Sequence, residues 1–145
     1  MHRKRTFTGT LATAITVALL TGALAHAAAD SDVSGQWVGN SQLDGSRSVG
    51  KTTLVLGASA TEDSSLRIED RSTCTLKQGS YSAGANGDWS LSFKQAKGGD
   101  ACERLAKGTF TLRSGSSPRA LQFEVIYPGP DGGQNVRRGA LARYP

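Results

Sequence analysis

Apolar and polar residues alternate in short runs along most of this chain, and clusters of Gly, Ser, Asn, Asp and Pro separate the runs. A strand places successive side chains on opposite faces, so period-two alternation predicts strands with one buried face. The clearest run is Trp89, Leu91 and Phe93 against Ser90, Ser92 and Lys94. Phe110 and Leu112 alternate with Thr109, Thr111 and Arg113, and Leu121, Phe123 and Val125 with Gln122 and Glu124, running on into Ile126 and Tyr127. Leu66 and Ile68 alternate with Arg67 and Glu69, and Cys74 and Leu76 continue the pattern. Ser34 to Gly39 reads as a first strand, Lys51 to Leu56 as a second, and Val136 to Tyr144 as the last, with Leu141 inward. This predicts about eight strands.

Turn chemistry supports the division. The stretches 83–88, 115–118 and 128–133 carry Gly, Asn, Asp and Pro, and the last reads as a long hairpin tip. One segment has two readings. Asp100-Ala101-Cys102-Glu103 followed by Gly108 fits a two-turn helix, with Asp100 as N-cap, Glu103 as its capping-box partner and Gly108 as C′ residue. A helix that short is marginal in isolation, and Thr109 onward reads as strand. Many short strands with this spacing suggest a sandwich or an up-and-down barrel. The expected fold is all-β: an antiparallel up-and-down barrel of about eight strands with one disulfide and one helical turn. Trp37, Leu54, Leu56, Leu66, Ile68, Trp89, Leu91, Phe93, Phe110, Leu112, Leu121 and Phe123 are its expected interior.

The N-terminus does not follow the strand pattern. His2, Arg3, Lys4 and Arg5 form a basic start, an apolar run extends from Leu11 to Leu24, and Ala25-His26-Ala27 supplies small residues at the positions a signal peptidase reads. The run is shorter than the ~20 residues of a spanning helix. Residues 1–27 are therefore expected to be a secretory signal peptide and residues 28–145 one β-barrel domain, exported to the periplasm or the medium.

This division changes what composition implies. The whole chain has 145 residues and a formal charge of +5. Residues 28–145 number 118 and keep 14 of the 17 basic residues against all 12 acidic ones, a net charge of +2. The basic residues are scattered, and no run exceeds Arg137-Arg138, so no nucleic-acid partner is expected. Both histidines, His2 and His26, fall in the leader. A domain without histidine cannot build a Ser-His-Asp or Cys-His site, or the histidine sites of most catalytic zinc enzymes. No metal, cofactor or familiar acid–base catalyst is expected. The two cysteines, Cys74 and Cys102, are expected to form a structural disulfide in an oxidising compartment.

Gly35-Gln36-Trp37 opens the first strand. It resembles the Gly-x-Trp element of calycin-type barrels, which include lipocalins, avidins and small bacterial metalloprotease inhibitors. Ser34 to Val38 is most similar to the periplasmic metalloprotease inhibitors, which are similarly short and carry one disulfide. The resemblance implies that Trp37 plugs one barrel end and that an Arg near the last strand, Arg138 or Arg143, packs over it.

Other candidates are weaker. Glu62-Asp63 and Glu69-Asp70 are acidic pairs whose neighbours point to opposite faces of a strand, so solvated surface is the expectation for both. Lys94, Lys97, Arg104 and Lys107 surround Cys102, with Asp100 and Glu103 between them. The 128–135 loop is the most exposed candidate for partner contact, through Tyr127 at its base, Asp131 and Asn135. The expected function is non-catalytic binding by an exported monomer. One version grips a protein, for example an extracellular or periplasmic hydrolase that it inhibits. Another carries a small, partly apolar ligand in the barrel mouth. A carboxylate-based hydrolase is third.

Overall fold

A computed structural model describes residues 33–145 apart from Ser59, Glu62 and Ala85. The expected signal peptide, residues 1–27, and residues 28–32 lie outside the described residues. The chain folds as eight antiparallel strands closed into a barrel in sequence order. They are β1 (Gly35–Leu43), β2 (Val49–Leu56), β3 (Ser64–Glu69), β4 (Thr73–Ala83), β5 (Trp89–Lys97), β6 (Thr109–Ser114), β7 (Ala120–Pro128) and β8 (Gln134–Arg143). One helix, α1 (Asp100–Ala106), lies between β5 and β6. The barrel closes where β1 meets β8, from Trp37 opposite Arg143 to Leu43 opposite Arg137. Closure leaves no free sheet edge, which removes the pairing hazard of an open sheet.

All twelve residues expected inside are buried. Leu76, Tyr81, Val125, Tyr127 and Leu141 join them, with Cys102 and Leu105 from the helical segment. Phe93 meets Phe110 edge to face, with ring centroids 5.2 Å apart. Such pairs add about 0.5–1.5 kcal/mol beyond their burial.

Two strands pass close to aromatic rings without side chains of their own. Gly79 lies opposite Phe93, and Gly139 opposite Phe123. A Cβ at Gly139 would stand 2.2 Å from Phe123 Cε1 and 2.9 Å from the Asn40 carbonyl oxygen, so the ring occupies the space a side chain would need. The ring packs over the backbone of the glycine and shields it. Gly139→Val is therefore expected to cost about 1–3 kcal/mol by overpacking. Urea denaturation measures the loss, and Phe123→Leu in the same chain should recover part of it.

β4 carries one extra residue relative to β3. Ser64 pairs with Gly79, but Leu66 pairs with Leu76, and Gln78 takes a positive φ of 52°. The bulge changes the strand's parity, so Leu76 and Tyr81 both point inward although five positions separate them. Period-two reading follows β4 through Leu76 and loses it after the bulge.

α1 differs in detail from its expected form. Its N-cap is Gly99, with φ 87°, and no side chain caps it. Asp100 is the first helical residue, and the Glu103 N–H donates to the Gly99 carbonyl at 3.0 Å. Gly98 and Gly99 both have positive φ, which lets the chain leave β5 and turn directly into the helix. Lys107 is the C-cap, and Gly108 follows it as expected. The Cys74–Cys102 disulfide joins this helix to the start of β4.

Strand direction sorts the loops. The β2–β3, β4–β5 and β6–β7 connections share one end of the barrel with Trp37 and the C-terminus. The β1–β2, β3–β4 and β7–β8 connections share the other end with α1.

Candidate functional site

The Trp37 end is plugged. Trp37 is 1% exposed, and its Nε1–H donates to the Val33 carbonyl at 2.8 Å. Arg143, directly opposite on β8, lays its guanidinium over the indole with Cζ 4.6 Å from the ring centroid. Its Nη1 also donates to the Ser34 carbonyl at 2.8 Å. Arg143, not Arg138, thus covers Trp37. Arg138 is five residues earlier on the same strand, an odd spacing that turns it to the outer wall. There it pairs with Glu124 at 2.8 Å and with Asp44. Removing the Arg143 side chain by Arg143→Ala is expected to cost about 1 kcal/mol, within the usual range for a cation over an aromatic face. A lower Tm with unchanged far-ultraviolet circular dichroism would show it.

Beside the plug, Trp89 Nε1 is a buried donor with no hydrogen-bond partner among the described residues. A groove of about 710 Å³ there is lined by Val33, Trp37, Trp89, Pro118 and Leu121, among others.

The α1 end is built differently. Inward positions that carry Leu or Trp elsewhere carry Ser41 on β1 and Thr52 on β2, 2% and 0% exposed. Their hydroxyls bond each other at 2.7 Å. Arg137 enters the same layer from β8 and is 8% exposed. Its Nη1 donates to Ser41 Oγ at 3.0 Å and to the Ser41 carbonyl at 3.3 Å. Its Nη2 donates to Asp70 Oδ2 at 3.0 Å. Asp70 Oδ1 accepts from the Arg71 backbone N–H at 2.8 Å and from the Ser48 hydroxyl.

Gly50 makes room for this pair. A Cβ there would stand 3.2 Å from Arg137 Nη1 and 3.3 Å from Asp70 Cβ. The hydrogen bonds from Ser48 and then Arg137 hold the Asp70 carboxyl below its ordinary pKa, against the opposing effect of burial. A guanidinium removed from water is tolerated only when charge and hydrogen bonds compensate it, and this network provides both.

Between the network and α1 lies a cavity of about 240 Å³. Leu43, Ile68, Leu105, Tyr127 and the disulfide give it apolar walls. Ser46, Ser48, Asp70, Arg71, Ser72 and Arg137 give it a polar edge. Asp70 is therefore not the solvated surface acid expected from its position beside Glu69. Glu69 does face outward, 2.6 Å from Arg67, while Asp70 turns in toward Arg137. Of the other acidic pair, Asp63 is exposed and Glu62 lies outside the described residues.

Tyr127 also differs from expectation. It is 8% exposed and lines the cavity, so it does not present itself to a partner at the loop. Asp131 is exposed and accepts the Gly133 N–H at 3.1 Å, and Asn135 is half-buried. Lys94, Lys97 and Lys107 are exposed around α1, and Arg104 is half-buried.

Sequence reading missed Ser41, Ser48, Thr52 and Arg137. A signal was present for two of them: Ser41 and Thr52 continue the inward series of Trp37 and Leu54 at period two.

Among the described residues no cluster of three metal-ligating side chains exists, and no helix is long and apolar enough to cross a membrane. No protein-family model matches the chain, and no curated protein matches its sequence. By its structure the chain is an eight-stranded, closed antiparallel β-barrel with one short helix and one disulfide.

Proposed function

We propose that this chain is an exported, non-catalytic, monomeric binding domain of calycin-like type, and that it engages a protein partner as an inhibitor of an extracellular or periplasmic hydrolase would. The observation that carries this reading is the filled interior. Layers of Leu and aromatic side chains occupy the barrel from Trp37 to Tyr127. The cavity at the α1 end, about 240 Å³, falls below the ~300 Å³ at which pockets for drug-sized ligands begin, and the larger space at the Trp37 end, about 710 Å³, is a groove over the plug and not a hollow inside the barrel. Recognition of a protein partner then falls to the loop rims and the outer wall. That wall carries a polar groove of about 570 Å³ between Asn40, Gln42, Gln122 and Arg138.

The chemistry available favours binding over catalysis. Asp70 is the acid built into the polar layer, and its lowered pKa makes it a weak base for Ser48. A two-carboxylate hydrolase needs a second acid about 5–9 Å away across a cleft, and no other carboxylate lines this cavity among the described residues.

The test is titration of the purified domain against hydrolases secreted by its own host. The expected result is a stoichiometric complex with one of them and loss of that enzyme's activity. Native mass spectrometry showing a tightly retained small molecule, with no hydrolase bound or inhibited, would overturn the reading.

A further inference from the structure

We infer that the cavity between α1 and the Arg137 layer is a binding site for a carboxylate carried on a compact apolar group. The inference is independent of any partner held by the outer wall. It starts from the donors of Arg137. The guanidinium has five N–H groups. Three bonds, to Ser41 Oγ, the Ser41 carbonyl and Asp70 Oδ2, are all made through its Nη atoms. Among the described residues, its Nε–H has no acceptor. The Arg137 side chain is 10% exposed and lines the cavity, so this donor is left to water or to an acceptor bound in the cavity.

Charge decides which acceptor. Arg137 and Arg71 both line the cavity, and Asp70 is its one carboxylate among the described residues, so the lining carries a surplus positive charge. Asp70 itself is occupied by Ser48, Arg71 and Arg137 and is poorly placed to receive a cation. An anion therefore fits better than an amine. A planar carboxylate matches the guanidinium fork.

Volume and lining decide what the carboxylate is attached to. At ~30 Å³ per molecule, the space equals about eight waters. Leu43, Ile68, Leu105, Tyr127 and the disulfide form its walls, so the attached group is short and apolar. A free aliphatic or aromatic acid has this chemistry, and so has the last residue of a polypeptide ending in Leu or Phe.

The probes are hexanoate and benzoate, with hexanol and hexylammonium as neutral and cationic controls. Acetylated dipeptides ending in Leu or Phe form a second arm. Binding is followed by chemical shifts of the ¹⁵N-labelled protein. Hexanoate or benzoate should shift the Arg137 Nε–H and the Arg71 and Ala101 amides saturably, and the controls should bind at least ~10-fold more weakly, a factor worth 1.4 kcal/mol. Tighter binding of the dipeptides would assign the carboxylate to a polypeptide end; tighter binding of the free acids would assign it to a small metabolite.

Ala101 is exposed on α1 at the cavity's edge. Ala101→Trp should keep the fold and lower affinity at least ~10-fold by filling the space. Arg71→Ala should weaken binding about 2- to 5-fold, as removal of an exposed charge does. Equal shifts with hexanol, no saturable shift with any acid, or unchanged binding by a folded Ala101→Trp protein would each overturn the inference.

Discussion

Arg137→Ala is expected to lower the unfolding free energy by about 2–4 kcal/mol, somewhat less than the ~3–5 kcal/mol of a fully buried ion pair broken from one side, because Asp70 is 18% exposed. The physical reason lies in what stays behind. Asp70 loses its ion partner, and Ser41 loses the donor to both its hydroxyl and its carbonyl. With total stability commonly about 5–15 kcal/mol, that loss is a large share of the whole. Urea denaturation would measure it. Arg137→Met combined with Asp70→Leu should recover most of the stability, because replacing both charges with apolar groups of similar size is often neutral. If the double variant is as unstable as the single one, packing around Arg137, not charge, is responsible.

The same pair sets a pH dependence with a definite sign. Asp70 has a folded pKa below its unfolded value. Its contribution is therefore fully present above the unfolded pKa of about 3.9 and is lost as pH falls through the lower folded value. The stability difference between the natural protein and Asp70→Asn should stay constant above about pH 5 and shrink below about pH 4. A difference that grows on acidification would contradict the hydrogen-bonded, ionised Asp70.

The second large effect concerns the disulfide. Cys74 and Cys102 are 28 positions apart in sequence and join β4 to α1. Replacing both by Ser should cost roughly 3–4 kcal/mol, mostly by releasing the unfolded chain from a closed loop. A local consequence should accompany the global one. α1 is short and lacks a side-chain cap, so tertiary attachment holds it in place. In the double Ser variant the amides of α1 should exchange with solvent faster than those of β7 and β8. Equal protection in both would show that apolar packing by Leu105 and Ala106 keeps the helix docked without the disulfide.

Much of the barrel was legible along the chain because its signal is local. Alternation in β5, β6 and β7 shows directly which side chains face inward, and the Gly- and Pro-rich turns mark where strands end. Three features escaped that reading for specific reasons. The bulge at Gln78 adds one residue to β4, so a strictly alternating pattern loses Tyr81. The N-cap moved to Gly99 because two successive positive-φ glycines make the turn that Asp100 would otherwise have initiated. The polar layer was missed because Ser, Thr, Asp and Arg read as surface residues unless their partners are known.

The sequence by itself determined the strand pattern, the inward apolar set and the cysteine pair, all of which depend on residue type and short-range spacing. Only the tertiary structure decided which residues of distant strands meet. Arg143 reaches Trp37 and Arg137 reaches Ser41 across the β1–β8 closure, and Arg137 reaches Asp70 across the barrel mouth. The choice of Arg143 over Arg138 follows from strand register, since an odd offset places the two side chains on opposite faces of β8. Register is fixed by the closed barrel as a whole. The candidate site therefore becomes visible only when β8 returns to pair with β1.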